Sequence, residues 1–261
     1  MFFFIVVVLF ILLGVIEGNR SRLLSVSGSI AAFFTGVIVY AGLGLKGLFL
    51  LGLFFLSSSA WSKIKNTKKQ KAEEILVKGS QRDWQQVLAN GGLAVFASAL
   101  YLLTNDWDWL LIFCIAIASS NSDTWASEIG SMSKGMPYNI KTLKRVDRGT
   151  SGAVSPLGTL ASIAGSFLIA LAGFFLFHLN VIELVFITVL GFVGNVADTF
   201  LGAYIQAGYQ CPQCGMKTER TLHCDQTTKL IKGYSVFNND VINFVSGFIS
   251  FVIGLLILKI F

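Results

Sequence analysis

Residues 109–130 read WLLIFCIAIASSNSDTWASEIG, an apolar run that ends in a short polar segment carrying Asp123 and Glu128. An apolar run of this length is typical of a helix surrounded by lipid or by a deep protein core. Carboxylates at membrane depth are costly, so they tend to pair, to bind cations or to line a cavity. The stretch therefore predicts a membrane-spanning helix with a functional acid pair near one end.

The composition of the whole chain indicates the same class. Of its 261 residues, 54% are hydrophobic, 13% are charged and 23 are Phe, whereas soluble domains carry about a quarter charged residues. The mean hydropathy is +0.71. With only three prolines, the sequence offers no long linker. We predict an all-α polytopic membrane protein that forms a single integral membrane domain over residues 1–261.

Apolar segments long enough to cross a bilayer recur along the chain, at about 20 residues per helix. We predict about eight transmembrane helices (seven or eight), because the third is short, ends in a run of Ser and also fits a half-spanning helix. The predicted spans are 1–16, 23–43, 47–61, 84–103, 109–129, 153–178, 181–203 and 239–258.

The basic residues predict the orientation. Eighteen of the 20 Lys and Arg residues lie in the first, third, fifth and seventh loops, and only Lys46 and Lys259 lie elsewhere. By the positive-inside rule these loops are cytoplasmic and both termini are outside. Topology accounts for the net charge of +6, which therefore requires no nucleic acid partner. We expect the plasma membrane of a prokaryote, with the polar site at the cytoplasmic face.

Polar residues converge on that face at the ends of three spans. The fifth and seventh spans end alike, in Asn-Ser-Asp-Thr around Asp123 and Asn-Val-Ala-Asp-Thr around Asp198. Two carboxylates at one depth suit Mg²⁺, which binds one or two carboxylates together with waters and substrate phosphates. The alternative is that these acids only decorate helix ends in the headgroup zone. Around them we place Asn121, Thr124, Ser127, Asn195, Thr199, Gln206, Asn239, Asp240 and Asn243.

The fifth loop, residues 131–151, supplies positive charge opposite the acids. It carries Lys141, Lys144, Arg145 and Arg148, followed by Gly149, Thr150, Ser151 and Gly152 and then by a new helix. Basic side chains before a Gly-rich turn at a helix start offer point charges and backbone N–H groups to phosphate. The loop is therefore a candidate nucleotide-binding segment. The alternative is simple contact with anionic lipid.

Two further loops are predicted to be cytoplasmic. In the seventh loop, residues 207–238, Cys211 and Cys214 form half of a zinc knuckle that His223 or Cys224 would complete. A structural Zn²⁺ and a reduced, metal-free turn both remain open, and a disulfide is not expected in the cytoplasm. Residues 62–83 carry seven basic residues and have amphipathic character, so we predict a helix on the inner leaflet.

Several motifs in the same order resemble a known family. They are DTWASEIG (123–130), KRVDRGTSGAVSPLGT (144–159), ADTFLGAYIQ (197–206), the CPQCG…HC loop and the Asn-Asn-Asp start of the last helix. Together they resemble the integral membrane family that contains plant and cyanobacterial phytyl-phosphate kinase. The pattern D-T-x-A-S-x-x-G with a basic Gly loop is similar, more distantly, to CTP-dependent phytol and dolichol kinases.

The resemblance implies a multi-span helical protein that phosphorylates isoprenoid alcohols or their monophosphates with a nucleoside triphosphate. It implies Asp123 and Glu128 as metal or catalytic acids and Asp198 as the second metal carboxylate. It further implies a phosphate-binding loop that contains Lys144, Arg145, Gly149 and Thr150. The chain departs from the family in two places: Ala153 replaces the second Gly of a Gly-Gly pair, and no residue separates His223 from Cys224.

The sequence thus predicts a Mg²⁺-dependent kinase that uses CTP or another nucleoside triphosphate to convert a phytyl or other prenyl monophosphate to the diphosphate. A free isoprenoid alcohol is the alternative acceptor, and Glu128 or Asp123 would then accept its proton. A non-enzymatic, ion-coupled or lipid transporter is a second alternative, and lipid phosphotransfer of the CDP-lipid type is a third. No feature of the sequence indicates an oligomeric state.

Overall fold

The structure is a computed structural model that describes residues 2–64 and 75–260. Within these ranges the chain forms seven α-helices and seven β-strands of two to four residues each. The helices are α1 (Phe2–Arg20), α2 (Val26–Lys63), α3 (Trp84–Thr104), α4 (Trp107–Gly130), α5 (Pro156–Phe177), α6 (Val181–Tyr204) and α7 (Asn239–Ile260). The strands are β1 (Tyr138–Asn139), β2 (Ala153–Val154), β3 (Gly208–Gln210), β4 (Lys217–Thr218), β5 (Leu222–His223), β6 (Gln226–Thr227) and β7 (Lys229–Lys232).

Six of the described helices are long and apolar enough to cross a membrane: α1, α2, α3, α5, α6 and α7. Helix α4 falls outside this group, and its second half carries the polar residues from Ser119 onward. It is nevertheless the central helix of the bundle, packed against α2, α3, α5, α6 and α7. All residues from Leu110 to Ala118 are at most 3% exposed. The predicted multi-span helical fold is confirmed, with the acid-bearing helix in its middle.

Helix α2 is a hairpin rather than a straight rod. A straight helix of 38 residues would be about 57 Å long, yet Arg82 contacts both ends of this one. Its carbonyl accepts a hydrogen bond from the Ser25 N–H at 2.9 Å, and its Nη1 donates to Ser59 Oγ at 2.6 Å. The chain reverses at Gly44, whose φ of 62° is a conformation that glycine adopts more readily than other residues. The predicted second and third spans are the two halves of this hairpin.

The loops that the sequence predicts on one side of the membrane meet at one end of the bundle. Leu24 in the first loop pairs with Arg82 in the third. The backbone N–H of Glu219, in the seventh loop, donates to the Ile75 carbonyl at 2.9 Å. The Ser151 hydroxyl, in the fifth loop, donates to Glu219 at 3.0 Å. The four loops therefore form a single polar cap on the helices.

Short strands shape two of these loops. Strands β1 and β2 pair antiparallel, with Tyr138 opposite Val154, and so close the segment 140–152 into a hairpin. In the seventh loop, β4, β3 and β7 form a three-stranded sheet, and β5 pairs with β6. Ser155 then caps α5 by accepting a hydrogen bond from the Gly158 N–H at 3.1 Å. The turn at residues 149–152, called the Gly loop below, is thereby held between a hairpin and the capped start of a helix.

The predicted surface helix at 62–83 is not found in the part of it that the structure describes. Helix α2 ends at Lys63, residues 65–74 lie outside the described residues, and residues 75–83 are irregular. The carbonyls of Ile75 and Leu76 accept hydrogen bonds from the seventh loop instead, at 2.8 Å each from Thr218 Oγ1 and Arg220 Nε. Because these two carbonyls accept hydrogen bonds from side chains of another loop, they do not accept the backbone hydrogen bonds of a helix.

Candidate functional site

A cavity of about 360 Å³ opens between the helix ends and the polar cap. Its wall combines residues from α4, α6 and α7 with the Gly loop, the segment after Leu76 and the seventh loop. The predicted site residues on this wall are Asp123, Ser127, Glu128, Arg148, Gly149, Thr150, Ser151, Gly152, Asn195, Asp198, Thr199, Gln206, Asn239 and Asp240. Segments far apart in the sequence are thus brought to one chamber.

Helix packing brings Asp123 and Asp198 to the same depth. Helices α4 and α6 run parallel, with Gly191 against Ala118 and Gly194 against Ser119. A Cβ at Gly194 would overlap the Ser119 side chain, so the glycine permits a very close approach. Residues four apart on a helix lie on the same face, one turn on. Asp123 follows Ser119 by four residues, and Asp198 follows Gly194 by four residues, so each aspartate lies one turn beyond this contact. Both aspartates line the cavity.

Neutral groups hold the carboxylate of Asp198. The Ser246 hydroxyl donates to Asp198 Oδ2 at 3.2 Å, and the Asn243 side-chain amide, with its nitrogen assigned to face the same oxygen, donates to it at 3.1 Å. No Lys, Arg or His side chain in residues 2–64 and 75–260 forms an ion pair with Asp123 or Asp198. Two half-buried carboxylates that have no basic partner in this part of the chain form a donor set suited to a divalent cation.

The Gly loop faces these acids. Gly149 and Gly152 have φ angles of 84° and 79°, which favour glycine. A Cβ at Gly152 would lie 2.5 Å from the Cα of Ala203, because the loop backbone rests directly on the end of α6. The Gly152 carbonyl also accepts a hydrogen bond from the Ile140 N–H at 3.1 Å. The loop is therefore fixed between the β1–β2 hairpin and the helix that carries Asp198.

Arg148 is the cationic residue of this loop that reaches the cavity wall. Its Nη2 donates to the carbonyls of Ser133, Lys134 and Gly135 at 3.2, 3.3 and 3.3 Å. Its Nε is buried and has no hydrogen-bond partner among the described residues. The guanidinium thus shapes the turn after α4 and places a positive charge on the cavity wall.

Three predicted phosphate ligands lie outside the cavity. Lys141 Nζ lies 5.1 Å from the ring centre of Tyr204, and the Arg145 guanidinium lies over the Tyr138 ring at 5.7 Å. Lys144 is exposed. The Asn139 side chain accepts the N–H groups of Lys141 and Thr142 and so forms a turn that directs this stretch away from the wall. The basic run and the Gly turn are neighbours in sequence but separate in space.

Other predicted residues lie behind the wall. Asn121 is fully buried: its oxygen accepts from Ser57 and Ser58 at 3.2 Å each, and its nitrogen donates to the Gly165 carbonyl at 2.8 Å. Thr124 donates to the carbonyl of Ser120 within its own helix at 2.8 Å. These two residues and Asn243 support the packing of the site and are not on its surface.

Glu128 lies on the wall but is already bound to other parts of the chain. Its carboxylate accepts a hydrogen bond from the Ser62 hydroxyl at the end of α2. The pKa of Arg82 is lowered by burial, and the negative charge of Glu128 acts against this lowering. Glu128 therefore faces a basic side chain that Asp123 and Asp198 do not have, which separates its role from theirs.

Lys78 and Glu219, which the sequence analysis did not single out, also line the cavity. Lys78 Nζ lies 2.7 Å from Asp83 and also forms an ion pair with Asp240. Burial raises the pKa of Glu219 to about 7. Lys78 is one of seven basic residues in its loop, and Glu219 lies between two metal-ligand pairs. Nothing in the local sequence distinguishes either one, because their positions come from contacts between loops.

The seventh loop gathers its thiols and one imidazole below the cavity. The ligand atoms of Cys211, Cys214, His223 and Cys224 all lie within 4.8 Å of one another. His223 Nδ1 lies 3.5 Å from Cys214 Sγ and 3.2 Å from Cys224 Sγ. Adjacent His223 and Cys224 thus both reach the cluster, although their adjacency in sequence made this unexpected.

Comparison with known proteins identifies the family. A family described as "Integral membrane protein DUF92" matches residues 7–251. Protein PGR of Arabidopsis thaliana is 30% identical to the chain, over 87% of this chain and 86% of its own length. An uncharacterized membrane protein of Methanocaldococcus jannaschii is 31% identical, over 92% of this chain and 87% of its own.

Protein VTE6, chloroplastic, of Arabidopsis thaliana is 28% identical over 85% of this chain and 62% of its own length. No solved structure matches the chain. The prediction from the sequence motifs, that this is an integral membrane protein related to a plant and prokaryotic family, is confirmed by these matches.

Proposed function

Because the chain belongs to the integral membrane protein family DUF92, we propose that it is a membrane-embedded kinase of isoprenoid phosphates. The donor is a nucleoside triphosphate, CTP or another, and the acceptor is a phytyl or other prenyl monophosphate. One observation carries the proposal: Asp123 and Asp198 share a cavity wall with Arg148 and the Gly149–Gly152 turn. Acids that suit a metal and a basic Gly turn are the parts that phosphoryl transfer requires.

The two aspartates are the residues that would hold Mg²⁺. They fit this ion because two half-buried carboxylates, which form no ion pair with a basic side chain of the described residues, offer the hard oxygen ligands it prefers. When bound, the ion neutralises charge on the phosphate oxygens. Ser246 and Asn243 orient the Asp198 carboxylate through its Oδ2. Aligned helices α4 and α6 then fix the spacing between the two acids.

The opposite wall would bind the phosphates. Arg148 places its positive charge on this wall with a guanidinium already anchored to three carbonyls, so little side-chain entropy is lost on binding. Gly149 and Gly152 allow a phosphate to approach the backbone without obstruction by a Cβ. Lys78 adds a positive charge at the rim of the wall, beside Asp240.

The site favours a monophosphate over an alcohol as acceptor. A phosphomonoester is already an anion and needs no general base, whereas an alcohol must lose a proton as it attacks. Asp123 and Asp198 are assigned to the metal, and Glu128 is engaged by Ser62. The prenyl tail would lie among the apolar helices in the bilayer while its phosphate enters the cavity at the polar cap.

The location follows from the same arrangement. Relatives from an archaeon and a cyanobacterium are membrane proteins. We place this chain in the plasma membrane of a prokaryote with the polar cap in the cytoplasm, where nucleoside triphosphates are found. The excess of Lys and Arg in the loops of the cap supports this orientation.

The test is product formation by purified protein in detergent. Geranylgeranyl monophosphate, phytyl monophosphate and the two free alcohols are each supplied with γ-labelled CTP or ATP, with Mg²⁺ or with EDTA. We expect labelled prenyl diphosphate from the monophosphates in Mg²⁺ and none in EDTA. Labelled monophosphate made from the alcohols would instead identify the free alcohol as the acceptor. Absence of any labelled lipid from correctly folded protein would contradict the kinase function and favour transport.

A further inference from the structure

We propose that the seventh loop is a zinc-binding module whose metal holds the floor of the cavity in place. Its ligands are Cys211, Cys214, His223 and Cys224, and its residue on the cavity wall is Glu219. The inference concerns a structural metal in the polar cap and stands apart from the proposed kinase chemistry. It rests on the geometry of the cluster and on the hydrogen bonds that connect the cluster to the cavity wall.

The four ligand atoms lie close enough together for one zinc ion to bind all of them. Tetrahedral zinc, with Zn–S near 2.3 Å and Zn–N near 2.0–2.1 Å, separates its ligand atoms by about 3.5–3.8 Å. His223 Nδ1 is 3.5 Å from Cys214 Sγ and 3.2 Å from Cys224 Sγ, and all four atoms lie within 4.8 Å of one another. Three thiolates and one imidazole are a common set for structural zinc.

The backbone is shaped to direct these side chains inward. The Cys211 N–H donates to the Met216 carbonyl at 2.9 Å, and the Gly215 N–H returns to the Cys211 carbonyl at 3.0 Å. Gly215, with a φ of 74°, completes the turn after the first ligand pair. Cys224 has a φ of 52° at the tip of the β5–β6 hairpin, a conformation unusual for a residue other than glycine. This turn allows two adjacent residues to reach one centre.

The residues between the two ligand pairs attach the module to the cavity. Thr218 and Arg220 donate hydrogen bonds to the carbonyls of Ile75 and Leu76, just before Lys78. Between them, Glu219 accepts from the Ser151 hydroxyl at 3.0 Å and from Gln206 Nε2 at 2.7 Å. A metal bound by both ligand pairs holds residues 218–220 in place between them. It thereby also holds the contact of Glu219 with Ser151 and the contacts of Thr218 and Arg220 with the backbone before Lys78.

A metal is also what a unit of this size requires. Its five strands contain two to four residues each. Among the residues of the loop itself, the buried hydrophobic side chains are Ala207 and Cys211. Small units without an apolar core are usually stabilised by disulfides or metals. The four cysteines of the chain, including the cluster's three, are free thiols in this structure.

The experiment measures metal content in purified protein without substrate. Wild type, Cys211→Ser, Cys224→His and Cys114→Ala are expressed in zinc-containing medium, passed through size exclusion in detergent and analysed by elemental mass spectrometry. Cys114 lies in the middle of α4, away from the cluster, and controls for the loss of a thiol. Cys224→His keeps four ligands as a Cys₂His₂ set.

We expect about one zinc per chain in wild type, Cys114→Ala and Cys224→His, and background zinc in Cys211→Ser. Cobalt exchanged into the wild type should show the absorption of tetrahedral thiolate-bound Co²⁺. Trypsin should then cleave the seventh loop faster in Cys211→Ser, or in wild type treated with chelator, than in zinc-loaded wild type. Zinc-free wild type, a Cys211–Cys214 disulfide, or unchanged zinc in Cys211→Ser would each overturn the proposal. None of these readouts depends on kinase activity.

Discussion

Gly194 of α6 packs against Ser119 of α4 so closely that any Cβ at residue 194 would overlap the Ser119 side chain. This contact sets the distance between two parallel helices one turn before each reaches its cavity aspartate. The spacing of the acids is therefore a property of helix packing, and it depends on a residue with no side chain.

Gly194→Ala should push α6 away from α4 and lower both stability and activity. Overpacking a tight contact costs about 1–3 kcal/mol, which exceeds the modest gain that alanine ordinarily brings to a helix. The matched control is Gly52→Ala in α2, where no atom lies within 4 Å of the added Cβ. Thermal unfolding in detergent measures the effect. Equal melting temperatures for the two variants would refute the close-packing argument.

Gly152→Ala should displace the Gly loop. Its φ of 79° disfavours a Cβ, and that Cβ would lie 2.5 Å from the Cα of Ala203. We expect kcat/KM for the nucleotide to fall by about tenfold or more, since the loop binds phosphate in the ground state and the transition state alike. The control is Gly135→Ala, which meets nothing within 4 Å. Similar kinetics for the two variants would show that the Gly loop does not bind the nucleotide.

Glu219 should make the stability of the polar cap depend on pH. Burial and the charge of Asp240 raise its pKa from 4.5 to about 7, while Lys232 and the hydrogen bonds from Ser151 and Gln206 act in the opposite direction. The folded state therefore binds the proton more tightly than the unfolded state. The resulting stabilisation is complete below about pH 4.5 and is lost as the pH rises through about 7.

The measurement for Glu219 compares melting temperatures of wild type and Glu219→Gln across this pH range. Wild type should lose stability relative to the variant as the pH rises, because glutamine keeps the hydrogen-bonding shape without acquiring a charge. Parallel curves for the two proteins would show that Glu219 titrates at its ordinary pKa.

The sequence was sufficient to predict the helices and to place Asp123 and Asp198 near one end of the bundle, because apolar runs and repeated motifs leave regular local signals. Apolar runs of spanning length correspond to helices in the structure, and the repeated Asp-Thr ending marks the ends of α4 and α6. The alternation of basic loops predicted that distant loops share one side, and the hydrogen bond between Ser151 and Glu219 shows two of them in contact. These features depend on residues close in sequence or on charge counted over whole loops.

The remaining features depend on contacts that local sequence does not encode. Arg145 and Arg148 are three residues apart, yet the β1–β2 hairpin directs the first to Tyr138 and leaves the second on the cavity wall. Lys78 reaches the wall through its ion pair with Asp240, which lies far along the chain.

The central claim is that Asp123 and Asp198 support phosphoryl transfer in one cavity, and one measurement tests it most directly. The transfer of γ-label from CTP or ATP to geranylgeranyl monophosphate is compared in wild type, Asp123→Asn and Asp108→Asn. Asp108 lies on the same helix at the opposite end of the bundle, where it pairs with Lys259 at 2.8 Å.

We predict labelled diphosphate from wild type and Asp108→Asn, and a loss of at least about a hundredfold in Asp123→Asn with unchanged elution and melting temperature. Asp123→Asn that works as well as wild type, or a wild type that labels no lipid while correctly folded, would contradict the account.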